Sequence, residues 1–185
     1  MIKPILHFIS LFLPKKSWRH SVRSYSQSHN AYTRQARKSA QSVGFGFVCN
    51  RKALLNKHTV IGDCVRLNGV EIQGNGSVQF GNHICAGSEL LIIAQNHNYD
   101  GGSHIPYTPK DYIYKNIRIG DFVWIGSRVT ILPGTEIGEG AIIQAGAVVH
   151  GKIPSCAIVG GNPAQVFKYR DRVHFDKLKK QKKFY

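Results

Sequence analysis

A six-residue repeat in the second half of this 185-residue chain constrains its fold more than any other feature. Stepping by six from residue 119 meets only isoleucine or valine, and glycine directly follows three of these six residues. A helix with about 3.6 residues per turn cannot keep such a step on one face, and a plain strand would not insert glycine so regularly. The stepped positions are Ile119, Ile125, Ile131, Ile137, Ile143 and Val149.

Two stretches upstream follow the same step in shifted phases. They are Val43, Cys49, Leu55, Ile61 and Leu67, and then Phe80, Ala86 and Ile92. The pattern predicts a triangular coil in which each hexamer forms one short strand and one corner, so that about 18 residues complete a turn. The aliphatic residues point inward and every strand pairs in parallel with the neighbouring coils. Residues 95–116 interrupt the repeat and are predicted to form an extruded loop.

The regions on either side of the repeat have a different composition, which predicts three parts. Residues 1–42 form a basic, helical extension, residues 43–161 form the coil, and residues 162–185 form a basic tail. Asn162 and Pro163 have the residue types of a helix N-cap and first helical position, so we expect a short helix to begin there. The apolar segment 5–13 is too short to span a bilayer. It either packs on the coil or lets residues 1–23 lie on a membrane surface.

Several motifs in the repeat region resemble those of the hexapeptide-repeat acyltransferases. The matching stretches are residues 119–127, 131–134, 137–140, 145–149 and 160–164. The pattern is similar to the galactoside, maltose and xenobiotic O-acetyltransferases. The tail after residue 168, Lys-Tyr-Arg-Asp and a lysine-rich run, resembles enzymes that acetylate sugars of bacterial capsules or lipopolysaccharide.

This resemblance implies an all-β fold, a left-handed parallel β-helix. It also implies a homotrimer with active sites between subunits, and acetyl-CoA as co-substrate. The expected activity is transfer of an acetyl group to a sugar hydroxyl in surface-polysaccharide biosynthesis, in the cytoplasm or at the inner face of the membrane. Two alternatives stay open, namely N-acetylation of an amino-sugar nucleotide and a non-catalytic trimeric scaffold.

His97 is the predicted general base, because acyl transfer to a hydroxyl requires a group that accepts the hydroxyl proton near neutral pH. It lies where the repeat ends and the extruded loop begins, which is the position of the catalytic histidine in the resembling enzymes. His104 is a weaker alternative, and Asp100 or Glu89 would orient the imidazole. The predicted acceptor-binding residues are Asn96, Tyr99 and Asp100, and the tyrosines of the loop either stack on sugar rings or pack between subunits.

The cofactor-binding residues are carried over from the resemblance. Trp124 would shield the thioester, Ser127 and Ala145 would line the pantetheine groove, and Gly126 would supply an amide to the oxyanion. Cations are expected near the phosphates of CoA, and Pro163 near its adenine. The cationic candidates are Lys152, Lys168 and Arg170.

No metal site is expected in this chain. The related γ-class carbonic anhydrases need a pair of histidines separated by four residues, whereas His83, His97 and His104 have other spacings and no CxxC pair occurs. The 25 basic and 10 acidic residues give a formal charge of +15, which predicts an anionic partner. No nucleic-acid-binding motif accompanies this charge, so nucleic acid is not expected.

Overall fold

The computed structural model describes residues 30–184, which form a parallel β-helix with one helix at each end. The helices are α1 (Ala31–Ser39) and α2 (Arg172–Lys180). Each turn of the β-helix crosses three faces. The first face is a six-stranded sheet in the order β1 (Ser42–Val43), β4 (Thr59–Ile61), β6 (Val78–Phe80), β10 (Ile117–Ile119), β13 (Glu136–Ile137) and β16 (Lys152–Ile153).

The second and third faces belong to one ten-stranded sheet, because two long strands wrap around the corner between them. These are β5 (Arg66–Gln73) and β7 (Cys85–Ile93). The second face adds β2 (Val48–Cys49), β11 (Trp124–Ile125), β14 (Ile142–Ile143) and β17 (Ala157–Gly161), which pairs with β18 (Ala164–Tyr169). The third face adds β3 (Ala53–Leu54), β12 (Thr130–Ile131) and β15 (Val148–Val149).

The register of the first face confirms the predicted coil. Ser42 pairs in parallel with Val60, and Arg118 pairs in parallel with Glu136. In both pairs the partners are one regular turn of the coil apart in the sequence. All six stepped aliphatic residues point inward and are at most 3% exposed. The six-residue step therefore works because it places one aliphatic side chain per face in the same interior column.

Residues 95–116 leave the β-helix as an arm, as the interrupted repeat predicted. Its base is an antiparallel pair, β8 (Gln95–His97) with β9 (Tyr112–Tyr114). The arm lies between β7 on the third face and β10 on the first face, so it leaves the corner where these faces meet. That corner lies opposite the second face, which carries Trp124.

The predicted helix at Asn162 and Pro163 is wrong. These residues join β17 to β18, which turns back and pairs antiparallel with β17. The physical reason is that β17 would otherwise leave backbone groups unpaired at the end of its sheet, and a returning strand satisfies them. The tail helix α2 begins later, at Arg172, where the Asp171 side chain accepts a hydrogen bond from the His174 N–H.

The helix α1 covers the opposite end of the β-helix through one buried threonine. Thr33 is fully buried, and its hydroxyl accepts a 2.8 Å hydrogen bond from the Cys49 N–H and donates to the Cys49 carbonyl. The Asn30 side-chain amide donates to the same carbonyl at 2.9 Å. These bonds satisfy backbone groups of β2 in the first coil, which has no earlier coil to pair with.

We expect Thr33→Val to lower the free energy of unfolding by about 1–3 kcal/mol, because a buried N–H loses its acceptor while the side-chain shape is kept. Urea unfolding followed by circular dichroism measures the change. Thr33→Ser is the matched control, since it keeps the hydroxyl and should unfold at a higher urea concentration than Thr33→Val. Equal midpoints for the two variants would contradict this role.

The predicted contact of residues 1–23 with a membrane and the helix expected over residues 5–13 lie outside the described residues. Within residues 30–184, no helix is long and apolar enough to cross a bilayer.

Candidate active site

His97 lies at the base of the arm between two aromatic rings. Its imidazole stacks on Tyr107, with ring centroids 3.8 Å apart and planes within 17° of parallel. Tyr112, which faces His97 across the β8–β9 pair, contacts the same ring at 4.9 Å. The tyrosines therefore fix the plane of the imidazole, and His97 itself stays partly exposed.

Hydrogen bonds across the arm hold these rings in place. The Asn98 side chain donates to a carboxylate oxygen of Asp111 at 2.8 Å, and the backbones of the two residues also pair. The Thr108 N–H donates to the Asn98 carbonyl, and the Thr108 hydroxyl accepts from the Ser103 N–H at 2.8 Å. The arm is thus an ordered unit that presents His97.

The imidazole of His97 lacks the orienting partner that the sequence suggested. Its Nδ1 atom is buried and has no hydrogen-bond partner among residues 30–184. Glu89 pairs instead with Arg128, whose Nε atom lies 3.1 Å from the carboxylate, because the two residues occupy equivalent corner positions in adjacent coils. Asp100 and Tyr99 are exposed further along the arm, and Asn96 accepts a hydrogen bond from the His97 N–H.

Trp124 projects outward from β11 on the second face. It lies in the ladder between Cys85 and Ile142, and 56% of its surface is exposed. Burial raises the pKa of the neighbouring Cys85 thiol, and the positive charge of Arg66 partly offsets this rise. The exposed indole ring of Trp124 is therefore a flat apolar surface for a ligand, and the Cys85 thiol beside it stays protonated at neutral pH.

At the corner that follows Trp124, two backbone N–H groups lack acceptors among the described residues. They belong to Ser127 and Ala145, which lie one coil apart at the corner between the second and third faces. The Ser127 hydroxyl accepts a hydrogen bond from the Ser88 N–H, and its carbonyl accepts from the Gly146 N–H. Adjacent coils lie about 4.8 Å apart, so the two amides form a short ladder open to a ligand.

The predicted role of Gly126 as an oxyanion donor is wrong. Its N–H donates to the Ile143 carbonyl at 2.8 Å, so the amide is already used between coils. A Cβ atom at this position would lie 2.5 Å from the Ala145 nitrogen. Glycine is therefore needed here for close approach of the coils, rather than for its amide.

The predicted phosphate-binding cations do not lie together. Lys152 is on the first face, 3.7 Å from the Glu136 carboxylate, whereas Lys168 pairs with Ile158 at the edge of the second face. The Arg170 Nε–H donates to the Gly140 carbonyl, and burial lowers the pKa of its guanidinium. Pro163 lies in the turn between β17 and β18.

Sequence reasoning missed a second aromatic group, formed where α2 crosses the corner between the first and second faces. His83 and Phe122 stack there with parallel rings, and Phe175 and Phe184 contact them from the tail. The sequence does contain a signal for this stacked pair, since His83 and Phe122 occupy equivalent positions in adjacent coils once the residues of the arm are left out. In the described part of the chain, no cluster of three or more His, Cys, Asp or Glu side chains could hold a metal.

Comparison with known families agrees with this geometry. Residues 116–151 match the family described as bacterial transferase hexapeptide (six repeats). These residues therefore carry hexapeptide repeats of the type that defines this family. The predicted resemblance to the hexapeptide-repeat acyltransferases is confirmed.

Among curated relatives, this chain is 34% identical over 113 residues to WbbJ of Escherichia coli, which is named as a lipopolysaccharide biosynthesis O-acetyl transferase. The match covers 57% of this chain and 58% of the relative. It is 39% identical over 100 residues to a chloramphenicol acetyltransferase of Klebsiella aerogenes, covering 47% and 48% of the two chains. The chain thus spans about half the length of these curated relatives.

Solved structures extend the similarity to most of the chain. A hexapeptide-repeat acetyltransferase of Vibrio cholerae, complexed with acetyl coenzyme A, is 28% identical with a TM-score of 0.68, covering 77% of this chain and 79% of its own. A galactoside acetyltransferase in complex with coenzyme A shares the fold at 24% identity and a TM-score of 0.65, covering 90% and 84%. The predicted left-handed parallel β-helix is confirmed.

Proposed function

We propose that this protein is an acetyl-CoA-dependent O-acetyltransferase that acts on a sugar hydroxyl during surface-polysaccharide biosynthesis. The observation that carries the proposal is the pair of unpaired N–H groups of Ser127 and Ala145 beside the exposed ring of Trp124. The pantetheine arm of CoA contains two amides in an extended chain, which can pair with such a ladder much as a strand would. The name of the Escherichia coli relative supports the substrate class.

The proposed catalytic group is His97. Because Nδ1 is buried within the arm, Nε2 is the nitrogen left to accept the proton of the acceptor hydroxyl. Stacking on Tyr107 holds the ring, so the nitrogen does not need to be oriented when the acceptor arrives. As the C–S bond of the thioester breaks, the same nitrogen would donate this proton to the departing CoA thiolate. Acetyl-CoA supplies the activated acyl group when bound, and Trp124 would exclude water from it.

The proposed assembly is a homotrimer with active sites between subunits. The arm that carries His97 leaves the corner opposite the second face, and Trp124 projects from that face. One chain therefore does not bring the proposed base and the proposed thioester cover to the same surface. A second copy, with its arm against the Trp124 face of the first, would combine them.

The remaining parts of the proposal follow from the co-substrate and from composition. The cytoplasm is the proposed location, because acetyl-CoA is available there, and residues 1–23 are proposed to contact the inner face of the membrane. The division into residues 1–42, 43–161 and 162–185 is kept as a proposal for the domain organisation. Asn96, Tyr99 and Asp100 are the proposed contacts to the sugar.

Thiol release from acetyl-CoA tests the proposed function. We expect the purified protein to release CoA when sugars with free hydroxyls are added, and mass spectrometry should find an O-acetyl ester on the product. Release with amino sugars alone, giving an amide, would instead support N-acetylation. If acetyl-CoA does not bind in calorimetry, the protein is a scaffold and the enzymatic proposal is wrong.

A further inference from the structure

A cleft of about 390 Å³ lies between the β-helix and the tail that contains α2. One wall is the corner of the β-helix at His83 and Phe122 together with the outer face of Cys85 and Trp124. The opposite wall is α2 and the residues after it, including Lys183 and Phe184. Trp124 therefore borders both this cleft and the proposed thioester site.

Aromatic rings make the inner wall of the cleft rigid. His83 and Phe122 stack with centroids 5.1 Å apart and planes within 1° of parallel. Phe184 contacts both rings, at 4.6 and 5.0 Å, and Phe175 approaches Phe122 edge-on at 6.0 Å. The tail is thus held against the corner, and the cavity between them has flat apolar surfaces.

The cations of the cleft are only partly neutralised. Lys179 pairs with Glu139, whose hydrogen bond raises the pKa of the lysine, and Asp121 accepts hydrogen bonds from Asn82. No carboxylate pairs with Arg170 or Lys183 among residues 30–184, and the Arg170 guanidinium has one N–H bonded to the Gly140 carbonyl. A partly buried guanidinium and a free ammonium beside apolar rings favour an anionic ligand.

We propose that the cleft binds the phosphate-bearing part of the acetyl acceptor, so that the acceptor is a sugar phosphate ester rather than a neutral sugar. This inference rests on the proposed function. A ligand in the cleft lies alongside Trp124, where its sugar hydroxyl would meet the thioester. The phosphates of CoA are directed elsewhere, because the amide ladder runs from Ser127 to Ala145, towards later coils, whereas the cleft extends back to His83 and Cys85.

The variant Lys183→Gln tests the proposal, with Lys180→Gln as matched control, because Lys180 is an exposed residue of α2 that does not border the cleft. We expect Lys183→Gln to raise KM for a hexose 1-phosphate acceptor about tenfold, the scale of one lost charge-assisted hydrogen bond. Its KM for acetyl-CoA and its kcat should not change. Lys180→Gln removes the same charge outside the cleft, so this variant should behave as the wild type.

Three acceptors with the same sugar distinguish the sources of the phosphate, namely a nucleoside diphosphate hexose, a prenyl diphosphate hexose and a hexose 1-phosphate. Whichever is used best should show the largest rise in KM in Lys183→Gln. If the wild type uses the free neutral hexose as well as its phosphate esters, and Lys183→Gln changes KM for neither, the cleft proposal is overturned and the acetyltransferase proposal still stands. A rise in KM for acetyl-CoA would assign the cleft to CoA and also overturn it. Absence of thiol release with every acceptor would instead refute the proposed function.

Discussion

His97→Ala is expected to lower kcat for acetyl transfer about 100-fold or more, because removal of a general base costs that much when the hydroxyl must be deprotonated as it attacks. Steady-state assays of thiol release measure the loss. KM for acetyl-CoA should change little, since His97 lies on the arm and the proposed amide ladder lies on the β-helix.

The matched control is His104→Ala, which removes another histidine of the same arm. His104 is exposed and its Nδ1 atom lies 2.8 Å from the Ser103 hydroxyl. This variant should keep most of the wild-type kcat. A similar loss in both variants would indicate disruption of the arm rather than removal of a base, and full activity of His97→Ala would refute the assignment.

Mixed oligomers of His97→Ala and Trp124→Ala test where the site is formed. If the base and the thioester cover come from different copies, some sites in a mixed assembly contain both wild-type residues. Co-refolded mixtures should then be more active than either variant alone. No recovery in assemblies shown to be mixed would place both residues in a site within one chain.

Ile125→Ala is expected to lower the free energy of unfolding by about 2–5 kcal/mol, the range for truncating a buried isoleucine. Ile125 is fully buried in the interior column between Ala86 and Ile143, so its removal leaves a cavity that the stacked coils cannot close. Chemical unfolding at fixed protein concentration measures the change, because assembly would couple stability to concentration.

Ile142→Ala is the matched control, because Ile142 is in the neighbouring strand but points outward and is only partly buried. It should lower the stability of the protein much less than Ile125→Ala does. Ile125→Val should cost about 0.5–1.5 kcal/mol. Equal losses for the inward and outward isoleucines would contradict the assignment of the interior column.

The β-helix could be predicted from the sequence because its repeat is local. One aliphatic residue every six positions determines which side chains meet in the interior. The six stepped residues from Ile119 to Val149 are all buried, as expected. The chain end was harder to predict. Asn162 and Pro163 fit the start of a helix by residue type, but the unpaired edge of β17 decides the outcome, and that edge exists only after the coils have stacked.

The candidate site was predictable in part. The resemblance places His97 and Trp124, and both have the accessibility that their proposed roles need. The assignments of Glu89 and Gly126 depended on partners from adjacent coils. Glu89 forms an ion pair with Arg128, and the Gly126 N–H donates a hydrogen bond to the Ile143 carbonyl. The sequence alone does not show which polar groups are already bonded between stacked coils.

The coverings at the two ends of the β-helix have a consequence for how the protein behaves in bulk. A stack of parallel coils with bare ends is a template onto which further chains can add, and the product would be a fibre. Here the buried hydroxyl of Thr33 accepts a hydrogen bond from the backbone of β2 in the first coil. At the other end, β18 folds back and pairs with β17 in the last coil. Both coverings therefore oppose the addition of another chain at these edges, and they leave the sides of the β-helix open to lateral association of subunits.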